Sequence, residues 1–233
     1  MPTQKKSGKL ALFALVALVG AAAGYGYYSQ ATQLSKTSKS SPKSEKEQKI
    51  ERAELAVKPN DIVMGDVNAL VTIVEYSSLS CPHCAHFHEK ILPAIDKEFL
   101  TTGKAKLVIR HFPLNEPAMR AAQIVECAGQ NNLKRESFLK VFFNMQPQWA
   151  FGESFLKDLK QIAFVGGMDS AAFDSCVANS EIEAQLLNTR KEAEEKLHVT
   201  STPSFFINGL KFDGDMSVDG MRTAINTAIE PTK

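Results

Sequence analysis

The sequence predicts an α/β fold with a block of helices inserted between strands, preceded by an N-terminal signal or anchor segment. Short apolar runs typical of strands occur at residues 62–64, 70–76, 106–112 and 204–212, whereas the roughly 80 residues from 117 to 198 have a helical apolar pattern. With 233 residues and a formal net charge of +1, the chain fits one domain with a tail, and nothing in its charge predicts a nucleic-acid partner.

The N-terminus indicates export. Lys5, Lys6 and Lys9 precede an uncharged run at residues 10–28. Two interpretations remain open: a signal peptide cleaved after Ala-Ala-Ala at 21–23, or an uncleaved membrane anchor with tyrosines at the interface. Either places the rest in the periplasm or cell envelope, where disulfides persist. We therefore divide the chain into a signal or anchor (1–28), a solvated linker rich in Ser, Lys and Glu (29–58) and a folded domain (59–233).

The first half of the domain contains three predicted strands and one helix. Residues 62–64 fit a short edge strand, and the continuous apolar run at 70–76 fits a central strand. The following helix has apolar residues at intervals of four, at positions 87, 91, 95 and 99. Pro93 lies inside this pattern, and we expect it to interrupt the helix because proline provides no N–H. Residues 106–112 form the next strand.

The second half begins with the helical insertion, at about 115–198. Within it, Ser180 and Glu183 have the spacing of a capping box that would begin the last helix of the insertion. The strand pattern returns at residue 204, and Asn208-Gly209 predicts a tight hairpin turn. Ser217 is suited to cap a final helix.

Cys81 and Cys84 lie where the central strand ends and the first helix begins. Free backbone N–H groups and the helix dipole stabilise a thiolate there, and Pro82 fits the first turn because its missing donor costs nothing. His83 is expected to place positive charge near the Cys81 sulfur. The i, i+3 spacing brings both sulfurs to one side of the turn. We assign Cys81 as the exposed nucleophile and Cys84 as the more buried resolving thiol.

A Cys-x-x-Cys can also bind metal, attach haem or form a purely structural disulfide. A structural zinc site needs four ligands from separated segments, and no second ligand pair occurs in the sequence, so no metal is expected. Haem attachment requires a histidine directly after the second cysteine, where Ala85 stands. A purely structural disulfide is disfavoured because the ring is tight. His86 and His88 are interpreted as ordinary residues of the helix surface.

The sequence Cys-Pro-His-Cys at 81–84, after a strand, together with Thr202-Pro203 ahead of a second strand, resembles the DsbA-like thiol:disulfide oxidoreductases. The resemblance covers residues 59–233 and implies a thioredoxin fold with an inserted helical domain. It also implies a cis peptide bond at Thr202–Pro203 that faces the cysteines, a backbone there that binds an extended substrate, and a buried acid at Glu75 that exchanges a proton with Cys84.

The resemblance further implies a disulfide oxidase without a bound cofactor. Its substrates would be reduced or unfolded exported proteins, and a DsbB-like membrane quinone reductase would reoxidise it. Some relatives have valine where this chain has Thr202, and threonine also occurs in isomerase-type relatives. An isomerase or reductase using the same cysteines therefore remains an alternative, as does a metal-binding or chaperone-like module. No dimerisation domain is evident, so we expect a monomer.

The two remaining cysteines, Cys127 and Cys176, lie 49 positions apart in the helical block. Four cysteines allow three pairings, but the Cys-x-x-Cys almost settles one pair. We therefore predict a structural disulfide between Cys127 and Cys176, with two buried free thiols as the alternative.

Overall fold

The computed structural model describes residues 53–129 and 131–230, and within them the fold is built on a five-stranded sheet. The strands follow the order β1-β3-β2-β4-β5 across the sheet. Strand β2 is parallel to β3, and every other neighbouring pair is antiparallel. The predicted edge position of the first strand and central position of the second are confirmed. The strand bounds are Ile62–Gly65, Val71–Ser77, Ala105–His111, Ser204–Ile207 and Leu210–Phe212.

Helix α1 (residues 82–100) follows β2 and changes hydrogen-bond pattern along its length. It consists of α-helical Pro82–His86, π-helical Phe87–Ile91, α-helical Leu92–Ile95 and π-helical Asp96–Leu100. The N–H of Leu92 bonds the carbonyl of Phe87, five residues back. The predicted interruption therefore appears as a wider turn directly before Pro93, whose ring and missing N–H prevent the regular ladder.

Among the described residues, the helical insertion comprises six helices, α2 to α7. A correction concerns the start of α7, because its N-cap is Asn179 and not the predicted Ser180. The Asn179 side chain accepts hydrogen bonds from the N–H groups of Glu181 and Ile182. Asparagine caps as well as serine does, and only the extended backbone of residue 179 decides between them. The bounds are Glu116–Glu126, Asn132–Asn144, Gln146–Trp149, Phe155–Val165, Ser170–Val177 and Ser180–Leu197.

The C-terminal part forms as predicted. Asn208 and Gly209 both have positive φ, of 46° and 83°, which a two-residue hairpin turn between β4 and β5 requires. Helix α8 (Val218–Ile229) begins after Ser217, whose hydroxyl accepts a hydrogen bond from the N–H of Gly220 at 3.1 Å.

The packed domain begins earlier than its predicted start at residue 59. Leu55, assigned to the linker, is 6% exposed and packs with apolar residues of β2, β3 and α7. Arg110 donates hydrogen bonds to the carbonyls of Glu54 and Ala56 and pairs with Asp61 at 2.7 Å. One leucine among small and charged residues was too weak a signal to separate this stretch from the linker.

The predicted signal or anchor at 10–28 and the linker up to residue 52 lie outside the described residues. In the ranges 53–129 and 131–230, no helix is both long enough and apolar enough to cross a lipid bilayer.

Candidate active site

Cys81 stands at the N-cap of α1, and the chain folds back to place the Thr202–Pro203 segment against it. Cys81 has an extended backbone and Pro82 occupies the first turn, as predicted. The Thr202–Pro203 peptide bond is cis. The Cys81 thiol donates a hydrogen bond to the carbonyl oxygen of Thr202 at 3.3 Å. Two segments 121 positions apart thus form one site.

The two thiols are free, and both are buried. Cys84 is fully buried and Cys81 is 7% exposed, so the expectation of an exposed Cys81 is wrong in degree. The Thr202–Pro203 segment covers part of its sulfur, a contact that only the folded chain provides. Cys81 nevertheless remains the more accessible of the pair, as expected for the attacking sulfur.

The surroundings of Cys81 strongly favour its thiolate. A hydrogen bond from the Cys84 thiol is the largest cause and lowers the pKa of Cys81 to about 5, although burial opposes this. The side chain of Thr202 and the backbone N–H groups of Cys84 and His83 lower this pKa further. His83 itself is exposed. Its backbone N–H therefore contributes at the helix N-terminus, while the predicted effect of its imidazole charge stays a prediction.

The pKa of Cys84 is displaced in the opposite direction. Burial raises its pKa well above the ordinary value, and the neighbouring Cys81 sulfur and the negative charge of Glu75 raise it further. At neutral pH the reduced pair therefore carries one proton, held by Cys84, and one negative charge, centred on Cys81.

Glu75 is fully buried on the central strand, as the resemblance implied. His88 of α1 places Nε2 at 2.9 Å and 3.2 Å from the two carboxylate oxygens of Glu75. The side chain of His88 is only 7% exposed, and its ring stacks on Phe143 of α3 with centroids 4.2 Å apart. The assignment of His88 to the helix surface is therefore wrong. His88 is four positions after Cys84, so both side chains face inward on the same side of α1.

A second buried histidine, His111, ends β3 beside Ser77 of β2. Burial lowers the pKa of His111 to about 4, so its imidazole is neutral. Its Nε2 lies 3.5 Å from the carboxylate of Glu126, which pairs with Arg135 at 2.5 Å. Sequence reasoning missed this histidine because it stands inside a predicted strand with no distinguishing spacing.

Gln146 attaches the helical insertion to the active-site loop. Its Nε2 donates hydrogen bonds to the carbonyls of Cys81 at 3.0 Å and Leu79 at 2.7 Å. The short helix that carries it is anchored by the fully buried Trp149, whose indole N–H bonds the carbonyl of Phe142. No sequence signal singled out Gln146, because the contact depends on how the insertion packs.

The predicted second disulfide is confirmed. Cys127 and Cys176 are joined with an S–S distance of 2.08 Å and a Cα–Cα distance of 6.1 Å. The bond connects the C-terminal end of α2 to α6 within the insertion. Among the residues that the structure describes, no group of three or more His, Cys, Asp or Glu residues is arranged to hold a metal ion.

A thioredoxin-like sheet, a Cys-x-x-Cys at a helix start, a facing cis-proline and an inserted helical block together define a DsbA-like protein of the thioredoxin fold. A family model described as thioredoxin matches residues 57–227. The chain therefore belongs to the thioredoxin family.

Similar proteins agree with this assignment. A Rickettsia conorii protein named as a candidate protein-disulfide oxidoreductase is 32% identical over 180 residues, covering 76% of this chain and 63% of that protein. The matching Rickettsia felis protein is 31% identical with the same coverage. The chain thus spans 63% of the length of these relatives. The crystal structure of Wolbachia pipientis alpha-DsbA1 has a TM-score of 0.72 and 29% identity, covering 77% of this chain and 96% of that one.

Proposed function

We propose that this protein is an exported thiol:disulfide oxidoreductase that works mainly as an oxidase, donating its Cys81–Cys84 disulfide to folding proteins. The observation that carries the proposal is the opposite displacement of the two thiol pKa values, to about 5 for Cys81 and well upward for Cys84. A stabilised Cys81 thiolate favours the reduced pair and makes Cys81 a good leaving group.

The size of the effect is consistent with an oxidant. The pKa of Cys81 is lowered from 9.0 to about 5. For a two-electron couple, each unit corresponds to about 30 mV, so the disulfide becomes more oxidising by on the order of 100 mV. Proximity of Thr202 to the sulfur contributes to this shift.

In the proposed reaction, a substrate thiolate attacks the Cys81 sulfur of the oxidised pair. A bond forms between the substrate and Cys81, the Cys81–Cys84 bond breaks, and Cys84 takes up a proton. The second substrate thiolate then attacks the first substrate sulfur and releases Cys81 as a thiolate. The substrate leaves as a disulfide, and the two electrons remain on the reduced Cys81–Cys84 pair.

The remaining assignments follow from this role. Pro82 and His83 shape the helix start, Glu75 handles the Cys84 proton, and the cis-bonded Thr202–Pro203 segment positions an extended substrate. Substrates are reduced or unfolded exported proteins, and a DsbB-like membrane quinone reductase restores the disulfide. The lysines before residues 10–28 and the Cys127–Cys176 disulfide support a periplasmic or envelope location.

The decisive test is the equilibrium of the Cys81–Cys84 pair with glutathione. We expect the pair to be reduced by glutathione far more readily than a thioredoxin-type pair, and Cys84→Ser to accumulate mixed disulfides with substrates at Cys81. A thioredoxin-like potential would instead favour a reductase. Retained cellular function in Cys81→Ser would favour a chaperone-like or metal-binding module.

A further inference from the structure

The buried Cys84 has no direct way to exchange its proton with water. Its side chain is fully buried, and its thiol must gain a proton when the pair is reduced and lose it when the pair is reoxidised. While a substrate is attached to Cys81, that side of the pair is covered as well. Other groups must therefore connect Cys84 to solvent.

Two buried polar side chains, Glu75 and His88, lead away from Cys84. Glu75 lies close enough for its charge to act on Cys84. His88 then contacts both carboxylate oxygens of Glu75 through Nε2. This places an imidazole, which exchanges protons readily near neutral pH, directly after the buried carboxyl.

His88 also lines a cleft of about 600 Å³ between α1 and α3. Its walls include neither cysteine nor the cis-proline, so it is separate from the face where a substrate would bind. Apolar and aromatic side chains line it together with the imidazole, and among them the Phe143 ring stacks on His88. The other apolar lining residues include Met64, Leu92, Pro93 and Leu139.

The charged groups around His88 come from three elements. Glu75 faces it from β2, and the cleft carries both signs of charge from α1 and α3. Burial and the nearby Asp96 raise the pKa of Glu136 on the α3 side, which suits a group that receives protons from water in the cleft. The charged residues lining the cleft are Glu89, Lys90, Asp96, Glu136 and Lys140.

We propose that His88 is a relay residue that transfers the Cys84 proton between Glu75 and the water of the cleft between α1 and α3. It acts through Glu75 and touches neither substrate nor sulfur in this role. The inference rests on the proposed thiol–disulfide exchange. When Cys84 is released from the disulfide, the relay delivers a proton to it, and the same proton leaves through His88 when Cys84 attacks again.

A second route, through His111 and Glu126, is less continuous. His111 Nε2 has no hydrogen-bond partner among the described residues, and its 3.5 Å approach to Glu126 does not form a hydrogen bond. The His88 route has contacts of hydrogen-bond length at its central step, which is why we assign the relay to His88.

The test uses the full-length oxidised protein and follows its reduction by dithiothreitol in single-turnover experiments across pH, in H₂O and D₂O. The variants are His88→Gln, which keeps hydrogen bonding but does not titrate, and His88→Ala, which leaves space reachable from the cleft. His86→Gln is the matched control, because His86 is exposed on the same helix two residues earlier.

We expect both His88 variants to slow the Cys84 step by about tenfold or more, as for loss of a positioned acid–base group, and to flatten its pH dependence. Added imidazole should restore the rate of His88→Ala but not change that of His86→Gln. Rates and pH profiles that match those of the unsubstituted protein would overturn the relay, and so would slowing with an unchanged pH profile and no imidazole rescue.

Two further variants complete the design. A slower Cys84 step in His111→Gln, with unchanged rates in the His88 variants, would assign the proton to the route through His111 and Glu126 and overturn the proposal. Ser137→Trp obstructs the cleft from an exposed position on α3 and should slow the same step. It replaces the His88 variants as the test if those do not fold, and an unchanged rate in Ser137→Trp would then refute the relay. If the unsubstituted protein does not exchange with dithiothreitol at all, the proposed function fails, which is a different outcome.

Discussion

Removing the Cys84 thiol should raise the pKa of Cys81 measurably. The Cys84 thiol is the largest cause of the low value of about 5. A hydrogen bond to a charged group contributes about 1.5–3 kcal/mol, and one pKa unit corresponds to about 1.4 kcal/mol. Cys84→Ala should therefore raise the pKa of Cys81 by about one to two units. Cys84→Ser should raise it less, because a hydroxyl still donates a hydrogen bond to the thiolate.

The titration can be followed by ultraviolet absorbance of the thiolate or by the rate of alkylation with iodoacetamide. In both variants Cys81 is the one titrating thiol, because Cys127 and Cys176 are bonded to each other. Circular dichroism at each pH controls for unfolding. An unchanged midpoint in Cys84→Ala would refute the reasoning, since the backbone N–H groups at the helix start would then be sufficient to hold the thiolate.

Three other perturbations test the structure. The low pKa of Cys81 stabilises the reduced protein above the unfolded-state value near 9, and this stabilisation is lost as pH falls towards 5. Urea denaturation should therefore show a loss of about 2 kcal/mol between about pH 7 and 5, absent in Cys81→Ser. Cys176→Ala opens a 49-residue loop and should cost up to about 4 kcal/mol, with one new free thiol at Cys127; unchanged stability would contradict this. Arg110→Met removes the charged partner of the Asp61 carboxylate and leaves the backbone N–H of Lys58 as a donor to it. This should cost about 3–5 kcal/mol, partly recovered by adding Asp61→Asn.

Much of the fold was predictable because its signals are local. The strands at 62–65 and 71–77 follow from continuous apolar runs, and the Asn208-Gly209 turn follows from the positive φ values that these two residues tolerate. Local signals failed at the N-cap of α7, where Asn179 and Ser180 are equally suited to cap the helix. They also failed at Leu55, because a single leucine was the only indication that this segment packs on the domain.

The candidate site was predictable only in part. Cys81, Cys84 and the facing Thr202–Pro203 segment could be named from motif, order and resemblance. His88, His111 and Gln146 could not, because each has its role through a contact with a residue from a different element. The burial of such polar side chains is a property of the folded chain, and the same residue types are ordinary on a solvated helix face.

The sequence alone determined the class of fold, the redox-type cysteine pair and its place at a helix start, and it predicted the Cys127–Cys176 disulfide that the structure then showed. The tertiary structure alone decided that Cys84 and Glu75 are both fully buried, that the Cys81 thiol contacts the carbonyl of Thr202, and that His88 faces inward to the carboxylate of Glu75. The physical reason is that backbone conformation responds to neighbouring residues, whereas desolvation and charge–charge interaction depend on distances in space. The opposite pKa displacements of the two thiols, on which the proposed function depends, belong to the second kind.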